Sequence, residues 1–270
     1  MPDKLCTLKI IIRGAGEMAT GTACRLHRAG FYKILMTEVA HPLAVRRLVS
    51  FCEAIYDGAA AVEGVQAVAI ATPDQAVGLW SERMVPVLID PKNSTRNAIK
   101  PHIIIDAILA KRNLGTSIED AELVIGMGPG FYAGKDAHYV IETNRGHNLG
   151  RLISEGEAEA DTGVPGTIGG VGTQRVLRSP TDGIFESDLL IGALVDKGQT
   201  VGQVAGKKVT AGIRGVLRGL IRPGTAVTSG LKIGDVDPRQ NPSYCDTISE
   251  KARAIGGTVL EAILARFNQP

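Results

Sequence analysis

The chain is poor in aromatic residues, at 4% of its 270 positions, and carries almost no excess of either charge, with 30 basic against 28 acidic side chains and a net charge of +2. A field that weak gives no ground for nucleic-acid or membrane-surface binding, so small molecules or other proteins are the expected partners. No apolar run approaches the roughly 20 residues of a membrane helix. The start of the sequence has a short polar stretch before Leu8 instead of the apolar core of a signal peptide, and a cytoplasmic protein is expected. The four cysteines, Cys6, Cys24, Cys52 and Cys245, form no Cys-x-x-Cys pair, which removes the sequence pattern of a disulfide framework or a structural zinc site. Also missing are a Gly-x-Ser-x-Gly elbow, a His-Glu-x-x-His helix and any readable Ser/His/Asp grouping.

What the chain does have is glycine, at 33 residues, and enough hydrophobic residues, 44%, to fill two cores. The most informative stretch is Lys9 to Gly21, where an apolar strand runs into Gly14-Ala15-Gly16-Glu17-Met18-Ala19. Gly14 suits a tight turn, Gly16 lets the backbone approach a diphosphate, and Ala19 takes the small position where helix meets strand. Glu17 is discordant, because a carboxylate directly after the second glycine repels a bound phosphate.

Short apolar runs at 8–13, 33–37, 65–69, 85–89, 103–105 and 123–125 read as strands, with helices over 18–29 and 43–56 between the first of them. That order predicts an α/β fold, a Rossmann-like, mostly parallel sheet over residues 1–145. From Gly146 glycines become dense and helical periodicity disappears, which sets a β-rich domain at 146–244. Gly183, Gly198 and Gly202 recur as Gly215, Gly230 and Gly234, and Ile184, Phe185, Val201 and Val204 recur as Val216, Leu217, Ile233 and Val236. Two copies of one small β unit are expected to close into a pseudo-symmetric sandwich. The pattern resembles the halves of biotinyl/lipoyl-type domains, although the connection Ala205-Gly206-Lys207-Lys208-Val209 lacks their carrier-lysine motif. Ile248 to Phe267 carries an apolar stripe at helical spacing, so a terminal helix over 245–270 is expected to pack on the first domain or on another subunit, as in a homo-oligomer.

Loops beyond the carboxyl ends of parallel strands are where ligands bind, and four qualify. They are the turn at Gly14, Gly16, Glu17, Met18 and Ala19; the loop opened by Glu38, placed to bond a ribose hydroxyl; Asp90-Pro91-Lys92-Asn93; and Gly126 to Asp136. The last imitates a phosphate loop through Gly128, Gly130 and Lys135, but Pro129 and Asp136 stand where a P-loop needs Gly and Ser or Thr. A backbone anion nest with Lys135 nearby and an ordinary glycine turn remain alternatives. Asp106 lies in an apolar run and either faces the crevice or is neutralised by Lys111 or Arg112; Asp106, Lys111 and Cys52 are candidate catalytic groups. Cys52 is a core thiol or, if exposed, a sulfur- or selenium-handling one. Arg46 and Arg47 pair with phosphate or lie on a solvated face, and Asp136, His138 and Glu142 share one face of an extended segment, which suits an edge strand better than a metal.

Taken together, Gly14 to Gly21, Thr37-Glu38 with Arg46-Arg47, Ser50 to Ala54, Gly128 to Phe131, Glu142 to His147 and Lys232 to Arg239 resemble the YqeB family. Its members are accessory proteins of selenium-dependent molybdenum hydroxylase systems. The resemblance implies a maturation role, a phosphate-containing ligand such as the molybdenum cofactor or a dinucleotide, and a hydroxylase client or its assembly proteins as partners. A nicotinamide-dependent oxidoreductase and a noncatalytic scaffold are the alternatives.

Overall fold

The computed structural model describes residues 5–268, so most of the polar stretch at the start lies outside the described residues. The chain divides into two compact units, one of residues 1–42, 50–161 and 248–270, the other of 43–49 and 162–247.

The first unit holds strands β1 Ile10–Arg13, β2 Ile34–Glu38, β3 Ala59–Val62, β4 Val65–Ile70, β5 Val85–Ile89, β6 Ile103–Asp106, β7 Leu123–Met127, β8 Tyr132–Ala133, β9 Tyr139–Ile141, β10 Leu152–Ile153 and β11 Gly156–Glu157. Its helices are α1 Glu17–Arg28, α2 Ala54–Asp57, α3 Ala76–Ser81, α4 Arg96–Ile99 and α5 Glu250–Phe267. Nine strands form one mixed sheet in the order β10-β9-β7-β6-β1-β2-β5-β4-β3. The strands from β9 to β4 run parallel, and β10 and β3 pair antiparallel at the two edges. Every residue of β1, β6 and β7 is buried, as their continuous apolar runs require of strands covered on both faces.

Of the connections between parallel strands consecutive in the chain, only β1 to β2 carries a helix of several turns, α1; β4 to β5 holds the six-residue α3, β5 to β6 the single-turn α4 and β6 to β7 a single 3-10 turn. The expected helix over 43–56 does not form. Pro42 precedes it, Ser50 is extended at φ −133° and ψ 116°, and only the single-turn α2 follows two 3-10 turns. Residues 43–49 instead belong to the second unit, where a Cβ on Gly219 would come within 2.8 Å of the Val45 carbonyl oxygen and Arg47 Nε donates to Leu220 O at 2.8 Å. On the first unit α5 lies against α1 at close range: a Cβ on Gly21 would sit 2.7 Å from Ala252 Cβ, and one on Gly256 3.2 Å from Thr22 Cα. The glycine that weakens α5 is therefore what lets the helices touch.

The second unit contains β12 Val176–Arg178, β13 Gly183–Glu186, β14 Leu194–Val195, β15 Thr200–Val204, β16 Lys207–Thr210, β17 Gly215–Leu220, β18 Ala226–Val227 and β19 Lys232–Asp237. They form two four-stranded antiparallel sheets, β12-β19-β17-β14 and β16-β15-β13-β18, around a core of Phe185, Val195, Val204, Leu217, Ile233 and Val236. Strands β17, β18 and β19 begin 32 residues after β13, β14 and β15, and the short strands are exchanged: β14 pairs with β17, and β18 with β13. Exchange buries two edges that neither copy could cover alone.

The expectation of a Rossmann-like domain followed by a biotinyl/lipoyl-like sandwich is corrected by this architecture. The chain is mixed α/β, with one large mixed sheet and several antiparallel sheets. Apolar runs of five residues reveal buried strands, but not the antiparallel edge strands or the near absence of crossover helices.

Candidate functional site

Because β1, β2, β5, β6 and β7 run parallel, their carboxyl ends open on one edge of the first unit's sheet. At that edge Gly14 turns at φ +90°, with its N–H donating to Thr37 O at 2.8 Å. Gly16 is the N-cap of α1 at φ −72° and has no capping side-chain bond, Glu17 opens the helix, and Met18 and Ala19 are buried beneath it. A 12-residue helix that begins without a side-chain cap directs the positive end of its dipole at this edge. Thr20 steadies the turn from below: its hydroxyl donates to Ala15 O at 3.1 Å and accepts from Phe51 N at 2.9 Å.

Expected on a ribose hydroxyl, Glu38 is instead placed on the turn itself. Its Oε2 accepts the Ala15 N–H and its Oε1 the Val39 N–H, each at 2.8 Å. Burial raises its carboxyl above the usual value, against the pull of those two hydrogen bonds.

Asp106 ends β6 almost fully buried, and neither Lys111 nor Arg112 neutralises it. Its partner is Arg13, in register on β1, whose Nη1 lies 3.0 Å from Asp106 Oδ2. Thr116 joins them, its hydroxyl donating to the same carboxylate at 2.6 Å and accepting from Arg13. Lys111 reaches Asp161 across 2.5 Å at an exposed position. Cys52 is buried, with its N–H on Ala15 O at 2.9 Å, so it backs the turn instead of presenting a thiol.

The second glycine loop is tightly packed. A Cβ on Gly128 would lie 2.6 Å from Thr143 Oγ1, and one on Gly130, at φ +103°, 2.5 Å from the Arg112 backbone. Lys135 sits at the exposed tip of the β8 turn, where Asp136 Oδ2 accepts the Tyr132 N–H at 2.8 Å. His138 and Glu142 do not join Asp136: His138 Nδ1 accepts from Val124 N, and the buried Glu142 carboxylate accepts from Asn144 N and Glu159 N. Arg46 and Arg47 anchor the second unit, Arg46 through the carbonyls of Tyr244 and Thr247.

Two residues at this edge, Arg13 and Thr116, escaped the sequence reading. Arg13 was legible as a charge closing a run of isoleucines, whereas Thr116 carries no signal in the order of residues. Asn93, at φ +55° in the β5 loop, is 1% exposed, and neither side-chain amide atom has a hydrogen-bond partner. Asp90 beside it holds Ser94 Oγ and Thr95 N; burial works to raise its carboxyl, but those bonds bring it below the usual range.

No family model matches the chain. Solved structures that resemble it include the product-bound ectoine utilization protein EutE of Ruegeria pomeroyi, 27% identical over 31% of this chain and 27% of that one, with a TM-score of 0.23. An aspartoacylase family protein of Mesorhizobium loti is 13% identical over 84% of this chain and 83% of that one, with a TM-score of 0.27. The chain is 46% identical over 260 residues to the Escherichia coli K12 protein YqeB, described as uncharacterized; the match takes in 96% of this chain and spans about half of that relative, 48% of its length. Identity at that level along nearly the whole chain supports the YqeB family.

Proposed function

We propose that this chain is an accessory protein of a selenium-dependent molybdenum hydroxylase, and that its first unit takes the phosphate of a nucleotide or pterin ligand related to the molybdenum cofactor. The family resemblance supplies the pathway. The observation that carries the ligand reading is the glycine turn, where the uncapped start of α1 meets Gly14 and Gly16 at the carboxyl edge of the sheet. The nicotinamide oxidoreductase reading loses its main support, since both oxygens of Glu38 are engaged with backbone N–H groups. On the second unit, Leu190 and Leu194 are exposed apolar side chains suited to a protein client.

Native mass spectrometry of freshly purified protein tests the reading. A co-purifying pterin or mononucleotide phosphate is the expected result. A nicotinamide dinucleotide would move the chain to the oxidoreductase class, and empty protein with no thermal shift from any nucleotide or pterin would leave only the scaffold.

A further inference from the structure

Two carboxylates of the second unit, Asp235 and Asp237 on β19, are 4% and 1% exposed, and each is already held by an arginine. Arg175, buried just ahead of β12, pairs with Asp235, and Arg239 grips Asp237 through Nε at 2.9 Å and Nη2 at 2.6 Å. A third guanidinium lies beside them without a carboxylate of its own. Arg218, 4% exposed, has Nη1 3.9 Å from Asp235 Oδ2 and Nε 3.6 Å from Asp237 Oδ2, both beyond hydrogen-bond reach. Its Nε donates to Tyr244 O at 3.3 Å, while Nη1 and Nη2 donate to no atom among the described residues. Arg175 Nε, on the other guanidinium facing Asp235, is buried and also lacks an acceptor.

A β-bulge places Arg218 there. Leu217 lies opposite Val236 and Gly219 opposite Asp235, so Arg218 is the extra residue between them, while Leu217 and Leu220 keep the core side. A buried guanidinium with no hydrogen-bonded counter-charge is destabilising, and three guanidiniums against two carboxylates leave one positive charge over. The planar edge formed by the two terminal nitrogens of an arginine matches two oxygens of a phosphate or carboxylate. The glycine loop that Arg175 holds, through Nη2 to Gly166 O at 2.8 Å, is open: a Cβ on Gly170 or Gly172 would meet nothing within 4 Å.

We propose that Arg218, with Arg175 beside it, is an oxyanion subsite of the second unit, which takes a phosphate or carboxylate group on the Nη1–Nη2 edge of Arg218. The site is built only of second-unit residues and does not rest on the ligand reading of the first unit.

The test is hydrogen exchange of the full chain in inorganic phosphate, in acetate, and in chloride of equal ionic strength. Exchange about tenfold slower than in chloride is expected over 173–178 and 215–220 in at least one of the two oxyanions. Protection by phosphate alone assigns a phosphate group, and protection by acetate alone a carboxylate. Arg218→Met is expected to abolish the protection, and Arg218→Lys, which keeps the charge without the two-pronged edge, to weaken the apparent affinity about tenfold. Any protection over 14–20 belongs to the first unit and is expected to be the same in all three proteins. Equal exchange in the three salts overturns the subsite, as does protection of the second unit that survives undiminished in both variants. An arginine with a structural role alone would lower the thermal midpoint in both variants and leave the wild-type chain indifferent to either anion.

Discussion

Replacing Asp106 by Asn separates a structural carboxylate from a catalytic one. The Arg13 and Asp106 side chains are 3% and 2% exposed and pair at 3.0 Å, so the substitution leaves a guanidinium in the interior with no counter-charge. Breaking one side of such a pair costs about 3–5 kcal/mol. The carboxylate also accepts the Thr116 hydroxyl and the Ile108 N–H; Asn retains one oxygen acceptor and sets an amide donor against the other contacts. The expected loss is therefore at least the middle of that range, about 4 kcal/mol. The assay is urea unfolding followed by the fluorescence of Trp80, the chain's one tryptophan, buried in the first unit with its indole N–H on Ile34 O at 2.8 Å. With a urea slope of about 2 kcal/mol/M, the midpoint falls by about 2 M. The double variant Arg13→Met, Asp106→Leu removes both charges and is expected to recover most of the loss. A fall of under about 0.5 M for Asp106→Asn, at unchanged slope, would refute the reasoning, because it would mean that Arg13 is solvated without its partner.

Gly130→Ala is expected to destabilise the first unit by about 3 kcal/mol or more, since a Cβ there meets backbone at 2.5 Å and φ is +103°, whereas Gly134→Ala, at φ +86° with nothing within 4 Å, costs only about 1 kcal/mol; paired urea curves compare them. Burial first, and then Arg266, holds His138 below the usual imidazole range while its Nδ1 accepts the Val124 N–H. Its contribution to stability is thus complete above about pH 6.5 and is lost as pH falls through the lower folded value, a slope that His138→Gln removes from a series of unfolding midpoints. Native protein at pH 8 is expected to label rapidly at Cys6 and slowly at the three buried cysteines, with Cys24, pushed up to about 12 by burial, slowest of all; peptide mapping after brief alkylation reads this out.

The six strands were legible because their apolar runs are short and bounded, with β1, β6 and β7 buried throughout, and α1 was legible because Gly14 to Ala19 announces where it starts. The helix over 43–56 was misread for a physical reason. Its apolar residues recur at helical spacing, but Val45 packs on Gly219 and the Arg46 and Arg47 side chains reach carbonyls of 220, 244 and 247, contacts made nearly two hundred residues away. Local periodicity carries no information about such partners. The β3–β4 hairpin did leave a sign, Glu63-Gly64 at φ +46° and +84°, a left-handed pair that fits a two-residue turn. Asp106 was read as either facing the crevice or neutralised by Lys111 or Arg112, yet its charge partner came from the adjacent strand instead of from the next loop, because register and not sequence distance decides which side chains meet.

The same lesson changes the meaning of the glycine turn. A sequence pattern specifies which backbone N–H groups a loop can aim at an anion, but not which anion takes them. Here one is already taken, since Glu38 holds the Ala15 N–H and its own carboxyl is made more reluctant to ionise by burial. An incoming phosphate therefore meets a site with one carboxylate inside it and a second, Glu17, at its rim. Occupancy then requires a neutralising charge beside those two carboxylates. On this reasoning Glu17 and Glu38 do not argue against an anion at the turn; they set the condition that the anion arrives with a cation.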